Sequence, residues 1–337
     1  MIQDLKKKYL STLKSSETED WLDYRVVRPF SYFCALFFAK FDIHPNTVTI
    51  LSMFIGAASS IFFLHGSFYY EGWNGLWLNI IGVLLLCWAD ILDCTDGQLA
   101  RLTGKKSRLG RILDGMAGFT WFIPIYVLLM FRFYHYHSIE FDFLGIPDTE
   151  QNVLIATAVV VALALYSGFA CMGPQQRLAD YYIQIHLFML KGEKGSELDT
   201  SEMQQKAYDE TPAEGNRIWK YFLKNYIDYT RKQEKSTPEF QKLMKLLREK
   251  YGNAGNMPIE IREALHRESR RIMPWNAMLT FNFRSGMFFL FCLIDLPTWN
   301  FLFEILALGL LTYCINRHHE RFCRKMVNEL GMKDSER

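Results

Sequence analysis

Six apolar runs lie at about residues 46–67, 76–98, 111–131, 152–172, 275–294 and 299–316, each near the roughly 20 residues that a bilayer core requires. They predict an all-α, polytopic membrane protein with six transmembrane helices. A composition that is 50% hydrophobic and 15% aromatic would also suit a large soluble domain. The clustering of apolar residues into runs of spanning length decides for the membrane. The near-neutral mean hydropathy comes from one long polar stretch between the fourth and fifth runs.

Charge is partitioned by loop. Lys6, Lys7, Lys8, Lys14, Arg25, Arg28 and Lys40 precede the first run. Arg101, Lys105, Lys106, Arg108 and Arg111 separate the second from the third, and Arg317, Arg321, Arg324 and Lys325 follow the last. The alternate loops carry only Arg132. The positive-inside rule therefore puts both termini, the loop after the second run and the long polar stretch in the cytoplasm, as in a bacterial inner membrane or its equivalent. A net charge of +2, with no basic face, gives no reason to expect nucleic acid. Seven cysteines without a CxxC pair, most of them inside apolar runs, read as small hydrophobes.

The second run ends in Asp90-Ile-Leu-Asp93-Cys-Thr-Asp96-Gly97-Gln-Leu-Ala100-Arg101, and the third opens with Gly110-Arg-Ile-Leu-Asp114-Gly-Met-Ala-Gly118. At about 100° per residue, Asp90, Asp93 and Asp96 project from one side of a helix, and Gly97 and Ala100 leave bare backbone beside them. Gly110, Asp114 and Gly118 recur every fourth residue and share a face. Two helix ends thus present carboxylates to each other. Clustered like charges at an apolar rim call for a divalent cation. Hard oxygen ligands indicate Mg²⁺ or Mn²⁺ rather than zinc. Asp93, Asp96 and Asp114 cannot fill an octahedral shell, so positions remain open for a pyrophosphate and water.

The spacing DxxDGxxAR, eight residues, Gly, three residues, Asp resembles the signature of the CDP-alcohol phosphotransferase family. These are integral membrane enzymes that move a phospho-alcohol unit from a CDP-linked donor to an alcohol and release CMP. The resemblance implies two metal ions on Asp93, Asp96 and Asp114, and donor phosphate beside Gly97, Ala100, Arg101 and Gly110. It also implies a homodimer. His44-Pro45-Asn46-Thr47-Val48-Thr49 is similar to the PNxxT element that opens the family's first transmembrane helix. Asn46 and Thr49 there serve either the nucleotide and its phosphates or a helix cap. The family pattern ends in a fourth Asp, thought to be the general base, where this chain has Gly118. Either another group such as Asp90 or a metal-bound hydroxide takes the proton, or the acceptor supplies its own base, or the copy is inactive.

Five segments follow from this reading. Residues 1–44 form a cytoplasmic leader and an aromatic, amphipathic juxtamembrane helix suited to the membrane interface. Residues 45–172 hold transmembrane helices one to four with the motif. Residues 173–272 are a helical cytoplasmic insertion, residues 273–316 helices five and six, and residues 317–337 a basic tail. Arg284, inside the fifth run, either reaches the polar chamber and binds the acceptor's charge or pairs with a buried carboxylate or snorkels. With Lys106 and Arg108 it favours a phosphorylated acceptor. The Arg25-x-x-Arg28-Pro29 stretch also looks like that of members using inositol phosphate. The expected reaction moves a phosphatidyl unit from CDP-diacylglycerol to such an alcohol, with membrane lipids as surroundings. Transfer of phosphocholine or phosphoethanolamine to a lipid alcohol is the alternative, as is an inactive homologue that binds CDP-lipids.

Overall fold

A computed structural model describes residues 9, 15, 17–105, 107–192, 196, 198–212 and 215–335, with backbone alone at 108, 111 and 332–335. Among the described residues every regular element is helical. The chain forms two compact units. The first comprises Met1–Cys171 with Phe281–Ile305, the second Met172–Thr280 with Leu306–Arg337.

In the first unit, a π-helical turn at Asp23–Val27 leads into α1 (Arg28–Lys40), followed by α2 (Pro45–Phe63), α3 (Phe68–Thr103) and α4 (Arg108–His135). The short α5 (Ser138–Leu144) precedes α6 (Glu150–Leu165), and the unit is completed by α12 (Phe281–Leu293) and α13 (Trp299–Leu302). α2, α3 and α4 meet through small residues, as expected where lipid removes most of the hydrophobic drive between helices. A Cβ at Gly56 would sit 2.1 Å from the Trp121 ring, whose Nε1 donates to Ser52 O at 3.1 Å, so α2 and α4 touch backbone to ring. α1 lays Ala35 against Val48, Leu92 and Leu99, all buried. Its opposite side exposes Phe30, Phe33, Phe37 and Phe41, spaced at three or four residues.

Among the described residues, five helices are long and apolar enough to cross a membrane: Pro45–Phe63, Phe68–Thr103, Ile112–His135, Glu150–Lys191 and Trp299–Gly331. The expected count was six, and the difference lies in residues 275–294. That run is divided, because one helix ends at Ala277 and α12 begins at Phe281. Thr280 Oγ1 turns back to Ala277 O at 2.6 Å in the break. The 13 residues of α12 reach only about 20 Å, against a hydrocarbon core of roughly 30 Å.

The second unit contains α7 (Gly173–Lys191), α8 (Ser201–Glu210), α9 (Arg217–Ser236), α10 (Pro238–Tyr251), α11 (Ile259–Ala277) and α14 (Gly309–Ser335). α9 buries Leu223, Ile227, Thr230 and Gln233, and α10 buries Phe240, Leu243, Met244 and Leu247, each at helical spacing. Glu320 of α14 accepts from the backbone N–H groups of Glu239 at 2.6 Å and Phe240 at 3.3 Å, satisfying the first turn of α10. Residues expected as a basic tail therefore continue a packed helix, with Cys323, Met326 and Leu330 buried.

Candidate active site

The acid motif occupies the last turns of α3 and the first turns of α4. Gly104 ends α3 at φ 72°, a left-handed conformation that glycine adopts without steric cost. Ser107 then caps α4, its Oγ accepting from Gly110 N at 2.9 Å. This short reversal places Asp114 of α4 beside the carboxylates of α3.

Asp96 is buried, and its carboxylate accepts a short hydrogen bond from Thr49 Oγ1, which also donates to Pro45 O at 3.2 Å. Asp93 lies within electrostatic reach of Asp96, Asp114 and Asp90, with Arg28 opposing them. Its Oδ1 is buried without a hydrogen-bond partner. A shielded carboxylate oxygen with no donor, among three further acids, fits a hard divalent cation. The donor set is all oxygen, as Mg²⁺ or Mn²⁺ requires. Asp114 is exposed, on the open side of the cluster.

Asn46 and Thr49 both stand at this cluster, and neither caps α2. His44 does so, its Nδ1 accepting from Asn46 N at 3.2 Å. Asn46 Oδ1 instead accepts from Ser107 Oγ at 3.0 Å and would lie 2.8 Å from a Cβ at Gly110. The glycine is thus required by the closeness of α2 to the start of α4. Beside Gly97 runs the Arg101 guanidinium, 3.4 Å from where a Cβ would be. Ala100 follows on the same turn, half-buried. At Gly118 a Cβ would meet nothing within 4 Å.

Among the expected acceptor contacts, Lys106 lies outside the described residues, as does the side chain of Arg108. Arg284 is fully buried and pairs with Glu304 at 3.1 Å. The same carboxylate accepts from Tyr126 OH at 2.7 Å and, by a short bond, from Ser167 Oγ. Of the readings open to Arg284, the structure displays the pairing with a buried carboxylate.

The N-terminal segment, which carries the Arg25-x-x-Arg28-Pro29 stretch, adds further groups. Arg28 pairs with Glu19 at 2.9 Å, and its backbone carbonyl accepts from Gln98 Nε2 at 3.2 Å. Asp20 accepts from Asn282 Nδ2 at 2.7 Å and from Asp23 N at 2.7 Å. Burial, reinforced by the neighbouring Asp20, lifts the Asp23 carboxyl to about 6. The sequence signal for this group is the Arg25-x-x-Arg28-Pro29 stretch that opens α1.

Residues 42–174 match the CDP-alcohol phosphatidyltransferase family model. The resemblance read from the motif holds over the segment that carries Asn46, Asp93, Asp96 and Asp114. The CDP-alcohol phosphatidyltransferase match supports a role in phosphatidyl or phospho-alcohol transfer within a multi-pass membrane protein. No curated protein and no solved structure matches the chain. The leader, α1 and nearly all of the second unit lie outside the CDP-alcohol phosphatidyltransferase segment.

Proposed function

We propose that this protein is a CDP-alcohol phosphatidyltransferase of phospholipid synthesis, moving a phosphatidyl unit from CDP-diacylglycerol to a phosphorylated polyol such as inositol phosphate. The observation that carries the reading is the carboxylate group of Asp93, Asp96 and Asp114 at the α3–α4 reversal, with the orphaned Asp93 Oδ1 at its centre.

Asp93, Asp96 and Asp114 would hold a pair of divalent ions, which would supply charge neutralisation for the donor's pyrophosphate. Thr49 fixes the Asp96 carboxylate by its hydrogen bond. Arg101 reaches back along Gly97, where a guanidinium offers paired donors to phosphate oxygens. The bare backbone at Gly97 lets the Arg101 guanidinium lie against α3, and that at Gly110 admits the Asn46 carboxamide of α2. Catalysis in such a site is chiefly positioning and electrostatics. With Gly118 in place of a carboxylate, the attacking hydroxyl loses its proton to the acceptor's own phosphate.

The wider reading has six crossings, α12 being a short fifth, with motif and both termini cytoplasmic. α1 lies in the interface on its Phe face. The protein acts as a homodimer. Gly118 favours a second reading, an inactive homologue that binds CDP-lipids.

The test uses protein purified in detergent with Mg²⁺ or Mn²⁺ and CDP-diacylglycerol. CMP release is followed over a panel of acceptors that includes inositol phosphate, and the lipid is identified by mass spectrometry. Release with one acceptor is expected, and its abolition in Asp93→Ala, Asp96→Ala and Asp114→Ala. Activity surviving in any of the three would sink the metal assignment. Silence with CDP-diacylglycerol, CDP-choline and CDP-ethanolamine alike would leave the inactive homologue.

A further inference from the structure

Arg28 stands where the N-terminal segment crosses the acid motif. Its carbonyl accepts from Gln98, one turn before Arg101 on α3, at 3.2 Å. Farther along α1, Ser31 Oγ donates to Ile91 O at 3.0 Å, and Thr95 Oγ1 donates to Ser31 O at 3.3 Å. These bonds fix the start of α1 on the turns of α3 that bear the carboxylates. The Arg28 guanidinium, 17% exposed, is held by Glu19, itself 6% exposed, at 2.9 Å. It acts on Asp93 and Asp90 from one side. Arg101 lies within electrostatic reach of Arg28, Glu19 and Asp96.

The fold therefore places two guanidiniums within electrostatic reach of each other beside the acid cluster. Adjacent cations drawn partly out of water repel each other, and a phosphate relieves that repulsion while taking paired N–H donors from each. We propose that Arg28 is a second phosphate-binding arginine of this site, clamping with Arg101 a phosphate of the nucleotide-linked donor. The proposal rests on the transferase reading. Arg28 precedes the family-matched residues 42–174, so the contact comes from the chain's own N-terminal segment.

The test is calorimetric titration of full-length protein in detergent and Mg²⁺ with CDP. Arg28→Gln and Arg28→Lys are compared with Arg25→Gln, which removes the same charge from an exposed position of the same segment. The Gln98 bond uses the backbone of residue 28, so every variant retains it. Arg28→Gln should weaken CDP binding about tenfold or more, Arg28→Lys several-fold because the fork is lost, and Arg25→Gln not at all. CDP binding that holds in Arg28→Gln while the apparent KM for inositol phosphate rises by a similar factor overturns the donor clamp and moves Arg28 to the acceptor. Should Arg28→Gln fail to fold, Arg28→Lys decides alone, and binding equal to wild type makes Arg28 structural. Unchanged CDP binding and unchanged acceptor KM in Arg28→Gln overturn this inference and leave the transferase reading standing. Wild-type protein that binds no CDP overturns both.

Discussion

Gly118 is the residue on which the chemistry turns. A side chain there would enter open space, so Gly118→Asp adds a carboxylate without a clash. Aspartate is also no worse than glycine in a helix interior, so the melting temperature should hold. The expected result is loss of turnover, because the new charge repels a phosphorylated acceptor. A rise of about tenfold or more, roughly 1.4 kcal/mol of barrier, would instead mark a site that has decayed from one with four carboxylates. Much of this neighbourhood was legible in the sequence. The acids and glycines follow from spacing alone, and the structure adds the reason for Gly110, the Asn46 carboxamide of α2. For Arg28 the sequence offered only the Arg25-x-x-Arg28-Pro29 resemblance and not its place beside α3, because its contact with Gln98 joins positions 70 residues apart. Nor could spacing choose a partner for Arg284, since Glu304 lies on a different helix.

At the scale of elements, the second buried arginine shows what ties the helices. Arg132 was expected as the sole cation of the alternate loops, yet its side chain is 1% exposed and belongs to a network. Nη1 donates to Phe63 O at 3.2 Å and Asn79 Oδ1 at 2.7 Å, and Nη2 to Cys292 O at 3.0 Å and Asp295 Oδ1 at 2.8 Å. Asp295, at φ 61°, also accepts from Ser67 N and, at 2.9 Å, from Tyr69 N. One ion pair thus joins the ends of α2, α4 and α12 to the start of α3. Asp295→Ala would leave a buried guanidinium uncompensated, at a cost of about 3–5 kcal/mol. Replacing both partners, as Arg132→Met with Asp295→Asn, which keeps an acceptor for Ser67 N and Tyr69 N at the positive φ, should recover a large part of it. Thermal unfolding of the two variants in detergent measures the difference, and an Asp295→Ala variant as stable as wild type would remove the network from the fold's support. The break at Met278–Thr280 was hidden from the sequence because apolar residues continue across it.

For the whole molecule, the burial of Arg132 sharpens the charge pattern. Without it, residues 64–67, 136–149 and 294–298 contain no Lys or Arg. The positive-inside rule would then take its whole signal from the opposite set of loops. A reporter that fluoresces only in the cytoplasm should be bright when fused after residue 337 and dark when fused at residue 146, with a periplasmic phosphatase giving the reverse. A C-terminal fusion active only outside the cytoplasm would mean an odd number of crossings and would remove α12 as a span. The length and apolarity of the runs made the membrane class legible, whereas the packed helices of the second unit could be read only as amphipathic stretches. The Arg132 network has a mechanical consequence for the first unit. A guanidinium with four acceptors fastens one end of α4, while Ser107 joins the other end to α2 by a single side-chain bond to Asn46. α4 is thus held at both ends and, through Trp121 against Gly56 and Ser52 of α2, along its length, so the position of Asp114 opposite the carboxylates of α3 is set by contacts outside the acid cluster.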